Sequence, residues 1–257
     1  PEIGLYWEKA AYEEAEHAAK FAELLGEDLE PNMKATTKDN LAWRVDCEFG
    51  ATQGKFDLAA CAKKKIHILT WQDALYPKRL KNIADPPVVL YYKGTLPQVD
   101  ALPCIAVVGT RGASAYGMST AKRMGYQIAA CGGITVSGVA FGIDAMAMRG
   151  ALSAGAPVIG VLGCGADIVY PPVNGPLFQD TENYGCILSE FAPGTQPAKW
   201  TFPKRNRIIS GLSNGVLVVE APEGSGALIT ANHALEQGRD VFVVPGNIDQ
   251  PGFVGSH

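Results

Sequence analysis

The sequence predicts an α/β protein with a doubly wound, mostly parallel β-sheet and a small N-terminal helical domain. Three observations favour this fold: short apolar runs recur along the chain, helix-length segments separate them, and glycine-rich turns follow most of them. Strands that are covered by helices on both faces are expected to be continuously apolar. The 257 residues are 47% hydrophobic and 19% charged, which is the composition of a globular protein.

Three segments follow one another along the chain. Residues 1–66 are predicted to form a small helical domain, because residues 8–25 are rich in alanine, glutamate and lysine, with apolar side chains near helical spacing. Residues 67–103 are predicted to be a connecting segment with one short strand at 88–92. Residues 104–257 are predicted to form the Rossmann-like domain that carries the sheet.

Six apolar runs in the third segment are predicted to be its strands. In a mostly parallel sheet, ligands bind beyond the carboxyl ends of the strands. The glycines and charged side chains of this segment fall at those ends. The runs are IAVVG (105–109), ITVSG (134–138), VIGVL (158–162), CILSE (186–190), GVLVVE (215–220) and DVFVVP (240–245).

The distribution of charge says more about partners than the total does. The net charge of −4 does not favour a nucleic-acid partner. Residues 101–143 and 191–219, however, contain basic side chains and no acidic ones. Two basic tracts without acids can form one positive groove in an otherwise acidic protein.

Several classes of protein are not indicated. The six cysteines are scattered without a C-x-x-C pair, so we expect neither a disulfide framework nor a metal site, and no other cofactor. No apolar run approaches the length of a membrane span, and the first residues lack the basic start of a signal peptide. We therefore expect a cytoplasmic protein without a membrane partner.

The loop after the first run is predicted to bind a phosphate. It extends from Gly109 to Gly117 and opens a helix, whose N-terminus supplies unpaired N–H groups. Thr110 and Arg111 are its candidate contacts, because a guanidinium is a planar donor suited to phosphate. The spacing is not that of the dinucleotide G-x-G-x-x-G motif. The alternative is a structural turn with a solvated Arg111.

Two further glycine-rich turns, after the second and fifth runs, open helices in the same way. Asp144 lies in the first of them, and we interpret it as a helix cap rather than a catalytic carboxylate. Several such turns on one edge of a sheet suit a polymer better than a single nucleotide. Their candidate phosphate contacts are Gly138, Gly142, Ser225, Gly226 and Thr230.

The loop at residues 199–207 indicates the ligand class most directly. It has four cations and two aromatic rings in nine residues. This combination suits single strands, because phosphates need cations and unpaired bases need flat rings. A solvated helix start is the alternative. Tyr170, in an earlier loop, either stacks on a base or packs inside the protein. The candidate contacts in 199–207 are Lys199, Phe202, Lys204, Arg205 and Arg207.

Together these loops resemble the DNA processing protein A family, also called DprA or Smf. The resemblance covers about residues 67–257. Each motif alone is weak, but their order and spacing are specific. The motifs are Tyr76-Pro77…Leu80, Asp85-Pro86-Pro87, Gly109-Thr110-Arg111, Gly138…Gly142-Ile143-Asp144, Asp167…Tyr170-Pro171…Asn174, Phe202-Pro203-Lys204-Arg205-Asn206-Arg207, Ser225-Gly226-Ala227-Leu228-Ile229-Thr230-Ala231 and Pro245-Gly246.

The resemblance implies a protein without catalytic activity that binds single-stranded DNA and assists loading of the RecA recombinase in natural transformation and recombination. It also implies that residues 1–66 are a diverged, SAM-like version of the family's helical domain. It leaves open whether the chain forms a homodimer. Phe202 would stack on a base, and Arg111 and Lys199 would pair with phosphates. The residues that match the family's DNA pocket are Arg111, Lys199, Phe202, Arg205 and Asn206.

An enzymatic function is the main alternative at this point. The glycine loops also resemble those of the lysine-decarboxylase-like phosphoribohydrolases, which cleave the N-glycosidic bond of nucleoside monophosphates. That reaction needs a carboxylate close to the sugar. The carboxylates within these loops are Asp144, Glu220 and Glu223. A protein-interaction scaffold is a third possibility, but it does not explain the cluster of cations and aromatic rings at 199–207.

Overall fold

The computed structural model describes residues 61–256. The chain divides into two units, Pro1–Phe56 and Asp57–His257. The predicted helical domain at residues 1–66 lies almost entirely outside the described residues. The sheet and its helices belong to the second unit.

The predicted sheet is present and mostly parallel. It has eight strands in the order β1-β2-β6-β5-β4-β3-β7-β8. The six strands from β6 to β8 in this order are parallel, whereas β1 and β2 pair antiparallel at one edge. The strand β1 had not been predicted within the connecting segment. The strands are β1 (His67–Thr70), β2 (Val89–Gly94), β3 (Cys104–Val108), β4 (Ile134–Ser137), β5 (Val158–Leu162), β6 (Cys186–Ser189), β7 (Gly215–Val218) and β8 (Asp240–Val243).

Helices cover both faces of the sheet, as expected for a doubly wound fold. One face packs against α1, α5 and α6, and the other packs against α2, α3 and α4. This is why every residue of β4, β5 and β6 is buried. The helices are α1 (Lys78–Lys81), α2 (Ala115–Ala130), α3 (Ile143–Ser153), α4 (Gly175–Tyr184), α5 (Thr201–Gly211) and α6 (Gly226–Glu236).

Two glycines let α2 and α3 pack directly against each other's backbone. A Cβ atom at Gly125 would overlap the carbonyl oxygen of Ala147. A Cβ atom at Gly150 would likewise overlap the carbonyl oxygen of Lys122. The contact holds α2, which follows the Gly109–Gly117 loop, against α3, which follows the next loop. In the part of the chain that the structure describes, no helix has the length and apolarity needed to cross a membrane.

We expect Gly125→Ala to destabilise the protein by about 1–3 kcal/mol, because the added methyl group must push α3 away. Helix propensity alone predicts the opposite sign, since alanine is better than glycine within a helix by about 1 kcal/mol. Urea unfolding measures the difference. Gly226→Ala is the matched control, because the space around Gly226 in the first turn of α6 is open. A Gly125→Ala variant as stable as wild type would contradict this close packing.

Candidate nucleic-acid interface

The predicted contact loops meet at the carboxyl-terminal edge of the parallel strands. The loops after β3, β4, β5 and β7 leave the sheet there. From β3 the chain continues to β4 on one side, and β7 returns on the other side. The edge between β3 and β7 is therefore the topological switch point, where α/β sheets commonly bind ligands.

Arg111 and Phe202 connect the loop after β3 with the start of α5. The guanidinium carbon of Arg111 lies 5.3 Å from the centroid of the Phe202 ring, which is a cation–π geometry. Arg111 is exposed and Phe202 is half-buried. The ring rests on the backbone at Gly163, where a Cβ atom would come within 2.8 Å of its Cδ1 atom. The loop after β3 thus places a planar cation over an aromatic ring at the start of α5.

Two lysines extend the positive charge along the start of α5. Lys199 and Lys204 are both exposed. The Nζ atom of Lys204 lies 3.8 Å from a carboxylate oxygen of Glu190, whereas neither Lys199 nor Arg111 forms an ion pair with any residue in 61–256. Trp200 is 62% exposed and touches the ring of Phe191 edge-on.

Gly142 holds the loop after β4 against the loop after β3. Its φ of +74° is in the left-handed region, and a Cβ atom would lie 2.5 Å from the carbonyl oxygen of Thr110 and 2.7 Å from that of Arg111. Only glycine adopts this φ without strain and has no Cβ atom to clash with these carbonyl oxygens. Gly142 therefore helps to position Arg111, whatever contact its own backbone makes with a ligand.

The N-terminus of α2 is already occupied by a carboxylate of the protein. Glu220, which follows β7, accepts hydrogen bonds from the backbone N–H and the hydroxyl of Ser114, the N-cap of α2, at 3.1 and 2.7 Å. A Cβ atom at Gly117 would collide with the same carboxylate. The sequence had led us to expect free N–H groups at this helix start. A negative side chain suits the positive end of a helix dipole, and here it takes the place expected for a phosphate.

Arg205 is buried beneath the site. Its guanidinium donates to the carbonyl oxygens of Gly138, at 3.1 Å, and Val161. The carboxylate of Asp144 accepts a hydrogen bond from the backbone N–H of Gly138 at 3.1 Å. Burial lowers the pKa of Arg205 to about 10, against the effect of Asp144, so Arg205 stays charged at neutral pH. Burial raises the pKa of Asp144, and the charge of Arg205 opposes that rise.

Arg207 and Asn206 are also bonded within the protein. Arg207 donates to Asp85 at 3.0 Å and to both carboxylate oxygens of Glu190, at 2.5 and 3.0 Å. Lys204 and Arg207 both face Glu190 while Arg205 points to the sheet, as the helical spacing predicts. The side-chain amide of Asn206 donates to the carbonyl oxygen of Gly226 at 3.2 Å, which ties α5 to the start of α6.

Asn174 is a supporting residue to which sequence analysis gave no role beyond its place in a motif. Its buried side-chain amide donates to the carbonyl oxygens of Val139 and Ala140 at 2.9 and 3.2 Å. Val139 has a φ of +55°, which is strained for a β-branched residue. Asn174 therefore stabilises an unfavourable backbone conformation in the loop next to Gly142. Asn174 and its partners Val139 and Ala140 are about 35 residues apart in sequence, so no local sequence pattern reveals this contact.

The predicted site residues fall into two groups. One group has exposed or half-buried atoms at the edge of the sheet: Thr110, Arg111, Gly142, Lys199, Phe202, Lys204, Ser225 and Gly226. The other group is buried: Gly138, Arg205, Asn206, Arg207 and Thr230. Direct contact with a ligand by any of them stays a prediction. The buried cations already have protein partners, a difference that the sequence pattern alone did not reveal.

The carboxylates that an N-glycosidase would need are arranged differently from an open catalytic pair. Asp144 and Glu220 are buried and accept hydrogen bonds from backbone N–H groups, whereas Glu223 is exposed. Within residues 61–256, no cluster of His, Cys, Asp and Glu side chains could hold a metal ion.

For residues 67–257, a family model and full-length relatives indicate one family. The family model for DNA recombination-mediator protein A matches residues 67–257. The DNA processing protein DprA of Bacillus subtilis is 44% identical over 194 residues, which cover 76% of this chain and 65% of that protein. The chain therefore spans slightly less than two thirds of the length of this relative.

Two solved structures have the same fold. The X-ray structure of DNA processing protein A from Streptococcus pneumoniae superposes with a TM-score of 0.72 at 42% identity, covering 77% of this chain and 70% of that one. DNA processing protein A from Helicobacter pylori superposes with a TM-score of 0.67 at 29% identity, covering 74% and 86%. The latter structure was solved to describe a single-stranded DNA binding mode.

A shorter similarity is to a different kind of protein. A stretch of 64 residues is 55% identical to Reverse rubrerythrin-1 from Clostridium acetobutylicum, covering 25% of this chain and 33% of that protein. The family model begins at residue 67. The interpretation of residues 1–66 as a diverged helical domain of the same family stays a prediction.

We expect Arg205→Met to destabilise the protein by about 3–5 kcal/mol, because it leaves the buried carbonyl oxygens of Gly138 and Val161 without their donor and removes the charge that opposes the burial of Asp144. Urea unfolding measures this loss. Lys204→Met changes the neighbouring exposed cation in the same way and should alter stability by no more than about 0.5 kcal/mol. If Arg205→Met kept wild-type stability and lost only ligand binding, Arg205 would be a direct contact rather than a supporting residue.

Proposed function

The chain belongs to the DNA recombination-mediator protein A family, and we propose from this membership that it binds single-stranded DNA. The observation that carries the proposal is the contact between Arg111 and the half-buried ring of Phe202 at the carboxyl-terminal edge of the sheet. A cation beside a flat ring suits a nucleotide whose base is unpaired, because the phosphate and the base can be bound together. The binding mode that the Helicobacter pylori structure describes supports the same ligand.

The exposed group of residues would make the contacts. In this proposal Phe202 stacks on a base, and Arg111, Lys199 and Lys204 neutralise phosphates. The lack of a carboxylate partner for Arg111 and Lys199 among the described residues supports this role, since an unpaired cation is available to a phosphate. Backbone groups at Thr110, Gly142, Ser225 and Gly226 complete the edge on either side.

The buried group would act through the position of the loops. Gly138 and Arg205 join the ends of β4 and β5, and Asn206 joins α5 to α6. Arg207 holds the outer side of α5 to Glu190 and Asp85, and Thr230 lies buried in α6. We assign these residues to shaping the interface rather than to direct contact with DNA.

The wider biology is part of the same proposal. Family membership favours a protein without catalytic activity that assists loading of the RecA recombinase onto DNA in natural transformation and recombination. A cytoplasmic location goes with that partner. Since the chain spans slightly less than two thirds of the Bacillus subtilis relative, the RecA contact and homodimer formation are proposals for the whole protein.

We expect oligo-dT to bind more tightly than a blunt duplex of equal length, because unpaired bases can stack on Phe202 and paired bases cannot. Stacking contributes ~1–3 kcal/mol per base, so Phe202→Ala should weaken oligo-dT binding by roughly 5- to 150-fold. Fluorescence anisotropy with labelled strands measures both. Phe242→Ala, at an exposed phenylalanine of the edge strand β8, is the control and should leave binding unchanged.

Equal affinity of the wild-type chain for the single strand and the duplex would contradict this function. Phe202 could also serve as a packing residue, in which case Phe202→Ala lowers thermal stability by ~3–5 kcal/mol. Melting curves of the variant distinguish that outcome from a loss of stacking.

We expect Arg111→Ala to weaken binding to all single-stranded sequences alike, since a phosphate contact does not depend on the base. The slope of log K against log salt should become shallower by roughly 0.7, the value for one phosphate of a single strand. A salt titration with oligo-dT measures the slope. Arg123→Ala removes an exposed arginine of α2, roughly 13 Å along that helix from its start, and should change the slope much less. An unchanged slope for Arg111→Ala would indicate that Arg111 is a solvated side chain on a structural turn and contacts no phosphate.

A further inference from the structure

Tyr170 is an aromatic side chain at the same edge, and the sequence left open whether it stacks on a base or packs inside the protein. It lies in the loop after β5, and the centroid of its ring is 5.6 Å from that of Phe202, with 31° between the ring planes. This separation is typical of offset aromatic pairs. The residue is nevertheless 36% exposed, so part of its ring is available to a ligand.

The loop that carries Tyr170 is firmly anchored. The backbone N–H of Gly165 donates to the carbonyl oxygen of Thr195 at 2.9 Å, and the hydroxyl of Ser189 donates to that of Cys164 at 2.6 Å. On the other side, the backbone N–H of Asn174 donates to the carbonyl oxygen of Pro171 at 3.0 Å. The ring is therefore held in place and does not sit on a loose segment.

The hydroxyl of Tyr170 does not explain the position of the ring. A buried tyrosine hydroxyl usually finds a hydrogen-bond partner, as Tyr76 does with the carbonyl oxygen of Pro87. No residue in 61–256 forms a hydrogen bond with the Tyr170 hydroxyl. What the structure gives this side chain is a flat surface next to Phe202.

We propose that Tyr170 is a second stacking surface, which takes the base next to the one that stacks on Phe202. This inference rests on the proposed binding of single-stranded DNA. The Phe202 centroid lies 5.3 Å from the guanidinium carbon of Arg111 and 5.6 Å from the Tyr170 centroid, so planar groups from two other loops adjoin this ring. Successive bases of a single strand stack on successive rings without preference for sequence, because every base has a flat face.

A purely supporting role for Tyr170 predicts a different salt dependence of DNA binding. If the ring only held Phe202 and Arg111 in place, its loss would weaken the phosphate contact of Arg111 together with the stacking. The salt dependence of binding would then become shallower, since that slope counts neutralised phosphates. Removing an uncharged stacking ring lowers the affinity and leaves the slope unchanged. The two roles are therefore separable by one measurement.

The experiment compares Tyr170→Leu, Tyr170→Ala and Tyr170→Phe in the full chain, with oligo-dT at several salt concentrations. Leucine keeps an apolar contact with Phe202 but lacks a flat face. We expect Leu and Ala to weaken binding by roughly 5- to 150-fold, the range for one stacked base. Tyr170→Phe should bind as wild type. In a Phe202→Ala background, Tyr170→Ala should cause a further loss, because each ring would stack on its own base; the size of that loss can differ from the one in wild type, since the two rings are in contact. Melting curves show which variants are folded.

Each outcome decides the inference. Wild-type affinity in Tyr170→Leu would overturn it, as would a loss of affinity that comes with a slope shallower by about 0.7, because Tyr170 would then act through Arg111. No further loss in the Phe202→Ala background would show that Tyr170 only positions Phe202. A wild-type chain that fails to bind oligo-dT at all would refute the proposed function itself, before any variant is considered.

Discussion

The geometry of the candidate interface depends on the burial of one guanidinium. Arg205 bonds the carbonyl oxygens at the ends of two adjacent strands, at Gly138 and Val161, close to the buried carboxylate of Asp144. A buried charge is tolerated only where partners satisfy it, so this contact sets the rotation of α5 about its axis. Phe202 lies three residues before Arg205 and therefore on the same side of the helix. The ring that contacts Arg111 is positioned as a consequence of the buried arginine behind it.

Ion pairs on the other side of α5 complete this restraint. Arg207 faces away from Arg205 and bonds to Glu190 and Asp85. Glu190 directly follows β6, and Asp85 lies in the segment before β2. The helix that carries Phe202 is thus held between the sheet edge and an acidic pair. Lys199 and Lys204, at its exposed start, remain at the surface. Cations that are close together in the sequence therefore have different roles. The buried arginines position the helix, and the exposed lysines give the edge its positive charge.

The sequence was sufficient to predict the sheet and the location of the loops. All six apolar runs became strands. Those inside the sheet are apolar along their whole length because helices cover both faces, whereas β8 is apolar although it is a mostly exposed edge strand. The strand at His67–Thr70 was missed, since its edge position does not demand such a run. The burial of Arg205 and Arg207 was also missed. The sequence of residues 199–207 does not show whether each of its four cations is solvated or bonded within the protein. The carboxylates Asp85, Asp144 and Glu190 lie elsewhere in the chain. Only the fold brings them together.

The carboxylate of Glu220 in front of α2 has a consequence for selectivity among small molecules. In folds of this class, the positive end of the first helix is commonly the seat of a nucleotide's phosphates. Here a side chain of the protein already sits there, bonded to Ser114. A free nucleoside triphosphate would have to displace a buried, hydrogen-bonded carboxylate of its own charge. We therefore expect mononucleotides to bind poorly at this position, and the proposed single-stranded DNA would bind along the outer rim without displacing Glu220.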